Sequence, residues 1–125
     1  MHSGDTRYTR GVDGLKQTLE NTLRELEVGL RQLYGERYRG LVLYGSYARG
    51  EADEGSDVDL LLLLEGPVQS GTEIRRASEL VSRISLESDR VLSVIPVDAR
   101  DYRTSREPYL ENARREGQLL GTEPG

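Results

Sequence analysis

The spacing of apolar residues predicts two amphipathic helices, and a last helix is predicted near the C-terminus from the position of a proline. The first covers about residues 13–34 and ends at Gly35. The second covers about 72–87, and the last covers about 107–120 with Pro108 in its first turn, a favoured place for proline. The apolar stripe of the first helix comprises Val12, Leu15, Leu19, Leu26, Leu30 and Leu33, and that of the second comprises Ile74, Ala77, Val81 and Ile84.

Short apolar runs between these helices predict three β-strands. The first, at 40–44, leads into a Gly-Ser turn and a brief helix at 47–49. The second, at 57–64, contains five consecutive leucines, which predicts burial on both faces of the sheet. The third, at 91–97, contains Pro96, and because proline has no amide hydrogen for a ladder, we expect this strand end at a sheet edge. The element order α-β-α-β-α-β-α predicts a fold of the α/β (α+β) class.

Composition limits the possible classes of function. A chain of 125 residues predicts one domain, 1–125, whose ends at 1–10 and 121–125 we expect to be loose. The sequence has no cysteine, which excludes disulfides and thiolate metal sites. A formal charge of −5 argues against strong generic binding to nucleic acid. The longest apolar run, 60–64, is too short for a bilayer, and no signal-peptide pattern is present, so we expect no membrane contact. The expected location is cytoplasmic, with which the lack of cysteine is compatible.

Residues 45–59 carry the strongest chemical signal. Asp57 and Asp59 lie two positions apart in a predicted strand, so their side chains project from one face. Two adjacent carboxylates repel each other unless a cation lies between them, and Mg²⁺ takes one or two carboxylates together with water and phosphate oxygens. Gly45 lets backbone amides approach a ligand, and Ser46 opens a helix N-terminus, which favours an anion. The pattern predicts a site for a metal-bound nucleoside triphosphate.

Three other interpretations of this segment fail. A calcium loop that starts at Asp53 or Asp57 requires glycine at its sixth position, where the sequence has Val58 or Leu62. A P-loop requires a Gly-Lys-Ser/Thr sequence, which the chain lacks. Ser46 has no Gly-x-Ser-x-Gly frame around it, so it does not match a hydrolase nucleophile.

The stretch Gly45-Ser46-x10-Asp57-x-Asp59-Leu60, with Ala48-Arg49-Gly50 and Ser56 inside it, resembles the polymerase-β-type nucleotidyltransferase superfamily. It looks most like the small, single-domain minimal nucleotidyltransferases of prokaryotes. The resemblance implies a nucleotidyltransferase fold with a small mixed β-sheet flanked by helices. It also implies Mg²⁺-dependent transfer of a nucleotidyl group to an acceptor, with pyrophosphate released.

The same resemblance assigns roles to individual residues. Gly45 and Ser46 are expected to bind the triphosphate, and Asp57 and Asp59 are expected to ligate the metal. Arg49 lies where it can contact a phosphate, but it is equally placed to pair with Glu51 or Asp53. For Arg49 both alternatives stay open.

Active members of the superfamily usually carry a third carboxylate inside the later strand, which activates the acceptor. Here the central polar residue of that strand is Ser93, which has no charge to offer. Asp98 at the strand end is the candidate catalytic residue, and Asp89 at its start is the other candidate. It also stays open that both acids merely terminate the strand or cap a turn.

The resemblance also suggests a partner. Many small members are encoded with a helical HEPN-type protein and form a toxin–antitoxin pair in which the nucleotidyltransferase adenylylates its partner, often at tyrosine. This implies ATP as donor, a protein hydroxyl as acceptor and an antitoxin role, and a minimal domain must use its own surface or a partner chain to hold the acceptor. Two alternatives stay open: a non-catalytic nucleotide-binding or regulatory subunit, and an antibiotic-modifying, small-molecule nucleotidyltransferase.

Overall fold

The structure, a computed structural model, describes the backbone of residues 11–53 and 55–120 and the side chains from residue 19 onward within those ranges. The predicted loose ends, 1–10 and 121–125, lie outside the described residues, as do the side chains of Val12 and Leu15. No helix in the described part of the chain is long and apolar enough to cross a bilayer. In chain order the elements are α1 (Gly11–Tyr34), a 3₁₀ turn (Gly35–Arg37), β1 (Tyr38–Tyr44), α2 (Ser46–Arg49), β2 (Val58–Leu64), α3 (Ser70–Ser88), β3 (Leu92–Asp98), α4 (Ala99–Thr104), α5 (Pro108–Glu116) and β4 (Gln118–Leu120).

Four strands form one sheet in the order β3-β2-β1-β4. β1 pairs antiparallel with β2 and β4, whereas β2 and β3 run parallel, so the predicted mixed sheet flanked by helices is confirmed. β3 forms one edge, which also confirms the placement of Pro96. The amide of Val58 donates to the carbonyl of Val91 (2.8 Å). Backbone groups alternate in direction along a strand, so every second residue after Val91 also turns its backbone groups toward β2. Pro96 is not one of these residues. It faces the open side of the sheet, where no backbone hydrogen bond to a neighbouring strand is needed.

The two faces of the sheet pack against different helices. One face meets α1 and α3 and contains Leu60, Leu62 and Leu64 of β2. The other meets α4 and α5 and contains Leu61 and Leu63. All five leucines are buried, as their uninterrupted run predicted. They divide between two cores because side chains alternate along a strand.

The C-terminal part of the chain differs from the prediction. The helix predicted over 107–120 ends at Glu116, and the residues after Gly117 form β4, which pairs with β1. A Cβ atom at Gly117 would lie 2.8 Å from Cγ1 of Val42, so glycine lets the chain pass close to the sheet at this point. The apolar pair Leu119 and Leu120 is compatible with either a helix face or a short strand. The pairing with β1 determines that this segment is a strand. The helix α4 was not predicted from the sequence, because its six residues are too few to show a periodic apolar pattern.

The helix faces follow the prediction in part. In α3, Ala77 and Ile84 are buried as expected, whereas Ile74 is 51% exposed. In α1, Leu33 is 40% exposed and lies outside the core. Glu73 takes the buried position beside Ile74, with only 4% of its surface exposed.

Glu73 ties α3 to the end of α1 through a buried network. Its carboxylate accepts hydrogen bonds from Arg37 (3.1 Å) and Arg76 (3.3 Å), and its backbone carbonyl accepts one from the Tyr34 hydroxyl (3.2 Å). Burial by itself would raise the pKa of Glu73, but the hydrogen bond from Arg37 and the positive charges of Arg37 and Arg76 act in the opposite direction, and on balance that pKa is lowered. The folded state therefore favours the ionised form of the Glu73 carboxyl group.

Replacing Glu73 by Ala should lower the free energy of unfolding by about 2–3 kcal/mol, because two guanidinium groups lose a shared, buried acceptor. Folding lowers the pKa of Glu73, so the destabilisation by Glu73→Ala should have its full size above pH 4.5, the usual carboxyl pKa. It should decrease as the pH falls through the lower pKa that Glu73 has in the folded state. Urea denaturation at several pH values measures both effects. Glu79→Ala, an exposed site on the same helix, is the control, and equal losses in the two variants would contradict the network's role.

Candidate active site

The two candidate metal ligands lie together on one face of the sheet. Asp59 pairs in register with Tyr44 of β1 and with Ser93 of β3, so these three side chains share the face that also meets α4 and α5. Asp57 comes two residues earlier, directly before β2 begins, and it is close enough for its charge to act on Asp59. Asp57 is exposed and Asp59 is half-buried. The structure thus brings the predicted carboxylate pair to the end of the sheet where β1 passes into α2.

Gly45 ends β1 and brings the chain against Asp59. Its dihedrals, φ +74° and ψ −152°, lie in a region essentially restricted to glycine. A Cβ atom here would collide with Oδ2 of Asp59 and would lie 3.2 Å from its Cγ. Ser46 then opens α2, whose leading amides have no acceptor within the helix. The Gly-Ser turn and the carboxylates are therefore adjacent, as the motif predicted.

The electrostatics of Asp59 favour a cation. Burial raises the pKa of Asp59 and the charge of Asp57 raises it further, while Arg49 acts in the opposite direction. A carboxylate pair that disfavours its own charge is stabilised by a positive ion. Among the described residues no group of three or more His, Cys, Asp or Glu side chains is close enough to enclose a metal. The two carboxylates therefore fit a divalent cation that keeps water and phosphate oxygens among its ligands, as Mg²⁺ does.

Gly45→Ala should weaken nucleotide binding at this site by roughly tenfold or more, equivalent to about 1.4 kcal/mol, because the new methyl group displaces the Asp59 carboxylate. Gly50→Ala is the control: Gly50 also has a positive φ of +75°, but a Cβ there meets nothing within 4 Å. Both variants carry backbone strain, which is larger at Gly45 than at the left-handed α conformation of Gly50, and only the first disturbs the carboxylate. Titration calorimetry with ATP measures the difference, and equal affinities for the two variants would contradict the proposed contact.

Arg49 lies beside the site but is engaged by acids. Its Nε donates to Glu51 (3.0 Å), and its Nη1 lies 3.9 Å from a carboxylate oxygen of Glu116. Of the alternatives left open by the sequence, the structure shows the pair with Glu51. The side chain is exposed, and its charge lowers the pKa of nearby Asp59. A role for Arg49 in nucleotide binding requires it to exchange Glu51 for a phosphate oxygen.

Hydrogen bonds hold the described residues of the loop between the turn and the carboxylates. Asp53 accepts hydrogen bonds from the Gly55 amide (3.0 Å) and the Ser56 hydroxyl (3.2 Å), which makes a tight turn directly before Asp57. Tyr47 donates to the Asp53 carbonyl (3.3 Å), and Arg90 donates to the Tyr47 hydroxyl (3.2 Å). These contacts connect the Gly-Ser turn to Asp57. The aspartate followed two residues later by glycine is the signal that predicts such a turn.

The structure does not bring Asp98 to this site. Asp98 pairs in register with Leu64, at the opposite end of β2 from Asp59, and its Oδ1 accepts a hydrogen bond from the Arg100 amide (2.8 Å) at the start of α4. The predicted catalytic role of Asp98 therefore has no support in the geometry. The residue in register with Asp59 is Ser93.

Asp89 lies at the same end of the sheet as the carboxylate pair. It directly follows the last residue of α3 in a left-handed conformation, φ +58°, and lies shortly before Leu92, which pairs in register with Val58. Its side chain is exposed. Of the two acids that the sequence left open, Asp89 is therefore the one nearer to the site, although it lies outside β3.

These features define the class of protein. The profile of the nucleotidyltransferase domain family matches residues 23–116, which reach from α1 to the end of α5. The chain belongs to this family and is a nucleotidyltransferase, so the resemblance drawn from the motif is confirmed.

A relative and two solved structures refine this placement. A candidate protein adenylyltransferase of Methanocaldococcus jannaschii is 33% identical over 73 residues, which cover 58% of this chain and 73% of that protein. A toxin–antitoxin crystal structure with AMP-PNP superposes with a TM-score of 0.59 at 17% identity, over 83% of this chain and 73% of that chain. A variant of the toxin–antitoxin pair MntA–HpeT gives 0.56 at 14% identity, over 77% and 70% of the two chains. At these identities the structural likeness shows the fold alone.

Proposed function

We propose that the protein transfers AMP from ATP to a hydroxyl group of a partner protein, with Mg²⁺ as cofactor. The observation that carries the proposal is the placement of Asp59 against the glycine turn at Gly45, with Asp57 close enough for its charge to act on Asp59, which fits a metal-bound triphosphate. The choice of AMP and of a protein acceptor is supported by the relative in Methanocaldococcus jannaschii, which is described as a candidate protein adenylyltransferase.

Each residue of the site has a defined task in this reaction. An acceptor oxygen attacks the α-phosphorus of ATP, the bond from that phosphorus to the bridging oxygen breaks, and pyrophosphate leaves. Gly45 and Ser46 would hold the triphosphate through backbone amides and a hydroxyl. Asp57 and Asp59 would hold Mg²⁺, which neutralises phosphate charge when bound. Arg49 would release Glu51 and pair with a phosphate oxygen.

The β3 position in register with Asp59 offers no carboxylate to receive the acceptor proton. Ser93 occupies the register position next to Asp59, and a serine hydroxyl is a poor general base. We therefore expect the proton to pass to solvent or to a group on the acceptor, and the enzyme to be slow, since general-base help typically contributes about 10²–10⁴-fold.

The proposed acceptor is a helical HEPN-type protein, modified on a tyrosine hydroxyl, with this chain acting as antitoxin in the cytoplasm. This part of the proposal is based on the resemblance of the motif at residues 45–59 to that of minimal nucleotidyltransferases. Two toxin–antitoxin structures with the same fold support it, and one of them was determined with AMP-PNP.

Co-expression of the chain with the protein encoded beside it, followed by incubation with α-³²P-labelled ATP and Mg²⁺, tests this function. We expect label on the partner, pyrophosphate in equal amount, and no label when the labelled phosphate is the γ-phosphate. An aminoglycoside replaces the partner in a parallel reaction. Label on the aminoglycoside and none on the protein would contradict the proposed acceptor.

A second candidate is a non-catalytic, nucleotide-binding subunit that regulates its partner. The presence of Ser93 where active members of the superfamily carry an acid favours it. Pyrophosphate release in the presence of the partner separates the two functions, because a binding subunit takes up ATP without turning it over.

A further inference from the structure

We propose that the protein has a second binding site, for a small phosphorylated molecule, in an arginine-lined cleft at the far end of the sheet. The cleft has a volume of about 390 Å³, within the usual range of small-molecule pockets, roughly 300–1,000 Å³. Its charged lining consists of Arg39, Glu65, Asp98, Arg100 and Arg103. We call it the arginine cleft. The inference does not rest on the transfer reaction.

The arginine cleft is separate from the candidate active site. Asp59 and Leu64 mark the two ends of β2, and Leu64 pairs in register with Asp98 in the wall of the cleft. Five residues of extended chain span about 16 Å at roughly 3.3 Å each. A ligand in the cleft therefore makes no contact with the Gly-Ser turn or with the metal-binding carboxylates.

The acidic residues of the cleft are already engaged. Glu65 accepts hydrogen bonds from Arg39, one of them from Nε at 2.8 Å. Asp98 accepts from the backbone amide of Arg100 (2.8 Å), and its second oxygen lies against Gly66, where a Cβ would collide with it. Both carboxylates thus have partners that do not depend on a ligand.

The arginine side chains of α4 have no such partners. Within the described ranges no hydrogen bond or ion pair joins the guanidinium of Arg100 or Arg103 to another residue. The two lie three positions apart, so they share one face of the helix, and both line the cleft. Two unpaired guanidinium groups in one concave space leave it with an unmatched positive charge.

Hydrogen bonds from Arg37 fix the part of the cleft that is formed by residues 65–67. Arg37 donates to the carbonyls of Glu65 (3.2 Å) and Pro67 (3.3 Å) and to the carboxylate of Glu73 (3.1 Å). These bonds hold the turn after β2 against α3 through a largely buried acid. A site with one fixed wall loses less conformational entropy when it binds a ligand.

The chemistry of the lining selects the ligand. A guanidinium group presents a planar fork of donors that matches phosphate oxygens, and a phosphate monoester has enough oxygens and charge to satisfy two such forks. The cleft is larger than a phosphate group alone, so the ligand carries an organic part as well. A long polyanion is disfavoured, because the chain as a whole carries a formal charge of −5.

Titration of ¹⁵N-labelled protein with phenyl phosphate in EDTA, followed by NMR, tests the inference. EDTA removes divalent cations and so silences the candidate active site. We expect saturable shifts at the amides of Gly66, Arg100 and Arg103 and none at Gly45, and we expect Asp57→Asn/Asp59→Asn to bind equally well. Arg100→Gln/Arg103→Gln should weaken binding by roughly tenfold or more.

The matched control is Arg75→Gln/Arg106→Gln, which removes the same charge from exposed sites outside the cleft. An equal loss of affinity in the control pair would show that only net charge matters and would overturn the site. Shifts centred on Gly45, or no saturation at millimolar phenyl phosphate, would overturn it as well. Because a failed transfer reaction leaves this titration unaffected, the two proposals stand or fall separately.

Discussion

Asp59→Asn should reduce nucleotide transfer by roughly 10²–10³-fold or more, which is the scale of loss when a group that stabilises transition-state charge is removed. The same change should make the metal-free protein more resistant to heat. Burial and the charge of Asp57 raise the pKa of Asp59, so the fold is less stable with this carboxylate ionised. Asparagine has nearly the same shape and no charge, and it relieves that repulsion.

The pH dependence of the stability gain follows from the same shift. A carboxyl group whose pKa is raised by folding destabilises the fold once the pH exceeds its unfolded value, 3.8 for Asp59. The gain from Asp59→Asn should therefore be full near neutral pH and vanish in stronger acid. Transfer assays and thermal melts at several pH values measure both effects.

Asp101→Asn is the control for both effects, because Asp101 is an exposed acid on α4. It should leave transfer unchanged and should not raise the melting temperature, because an acid in the first turn of a helix is stabilising. An Asp59→Asn protein that transfers AMP at the wild-type rate would remove Asp59 from the site.

Ser93→Asp should accelerate nucleotide transfer by roughly 10²–10⁴-fold, the range typical of general-base catalysis. Ser93 lies in register with Asp59 and shares its face of the sheet, so an aspartate there joins the existing pair. Without Mg²⁺ a third carboxylate at this place adds repulsion, so the variant should melt at a lower temperature and recover when Mg²⁺ is added. Single-turnover transfer rates and melts with and without Mg²⁺ test the two effects.

Ser93→Asn is the matched variant, since it has the size of aspartate without the charge. It should transfer no faster than the wild type. Equal rates for Ser93→Asp and Ser93→Asn would show that an acid at this position does not act as the base, and the acceptor or the partner would then have to supply it.

The sequence is most informative where the functional residues follow one another along the chain. Gly45 and Asp59 belong to a motif of fifteen residues that runs from the end of β1 to the start of β2. Because the two strands are adjacent and antiparallel, the turn and the carboxylates must lie at the same end of the sheet. The contact between Gly45 and the Asp59 carboxylate was therefore within reach of pattern analysis.

The sequence is least informative where the geometry depends on the register of distant segments. β3 follows the long helix α3, and nothing in its apolar run sets which of its residues lies beside Asp59. The register places Ser93 there and moves Asp98 to the other end, where it joins the arginine cleft. The pairing of β4 with β1 could not be predicted from the sequence either, because a strand of three residues is too short to show a recognisable apolar pattern.

Titration calorimetry of ATP binding, first with Mg²⁺ and then with EDTA, tests whether the carboxylate pair holds a metal-bound triphosphate. We expect saturable binding with Mg²⁺ that is lost in EDTA and in Asp57→Asn/Asp59→Asn, while Asp101→Asn binds like the wild type. ATP binding of equal strength in EDTA, or in the double variant with Mg²⁺, would contradict a metal-bound triphosphate at this carboxylate pair.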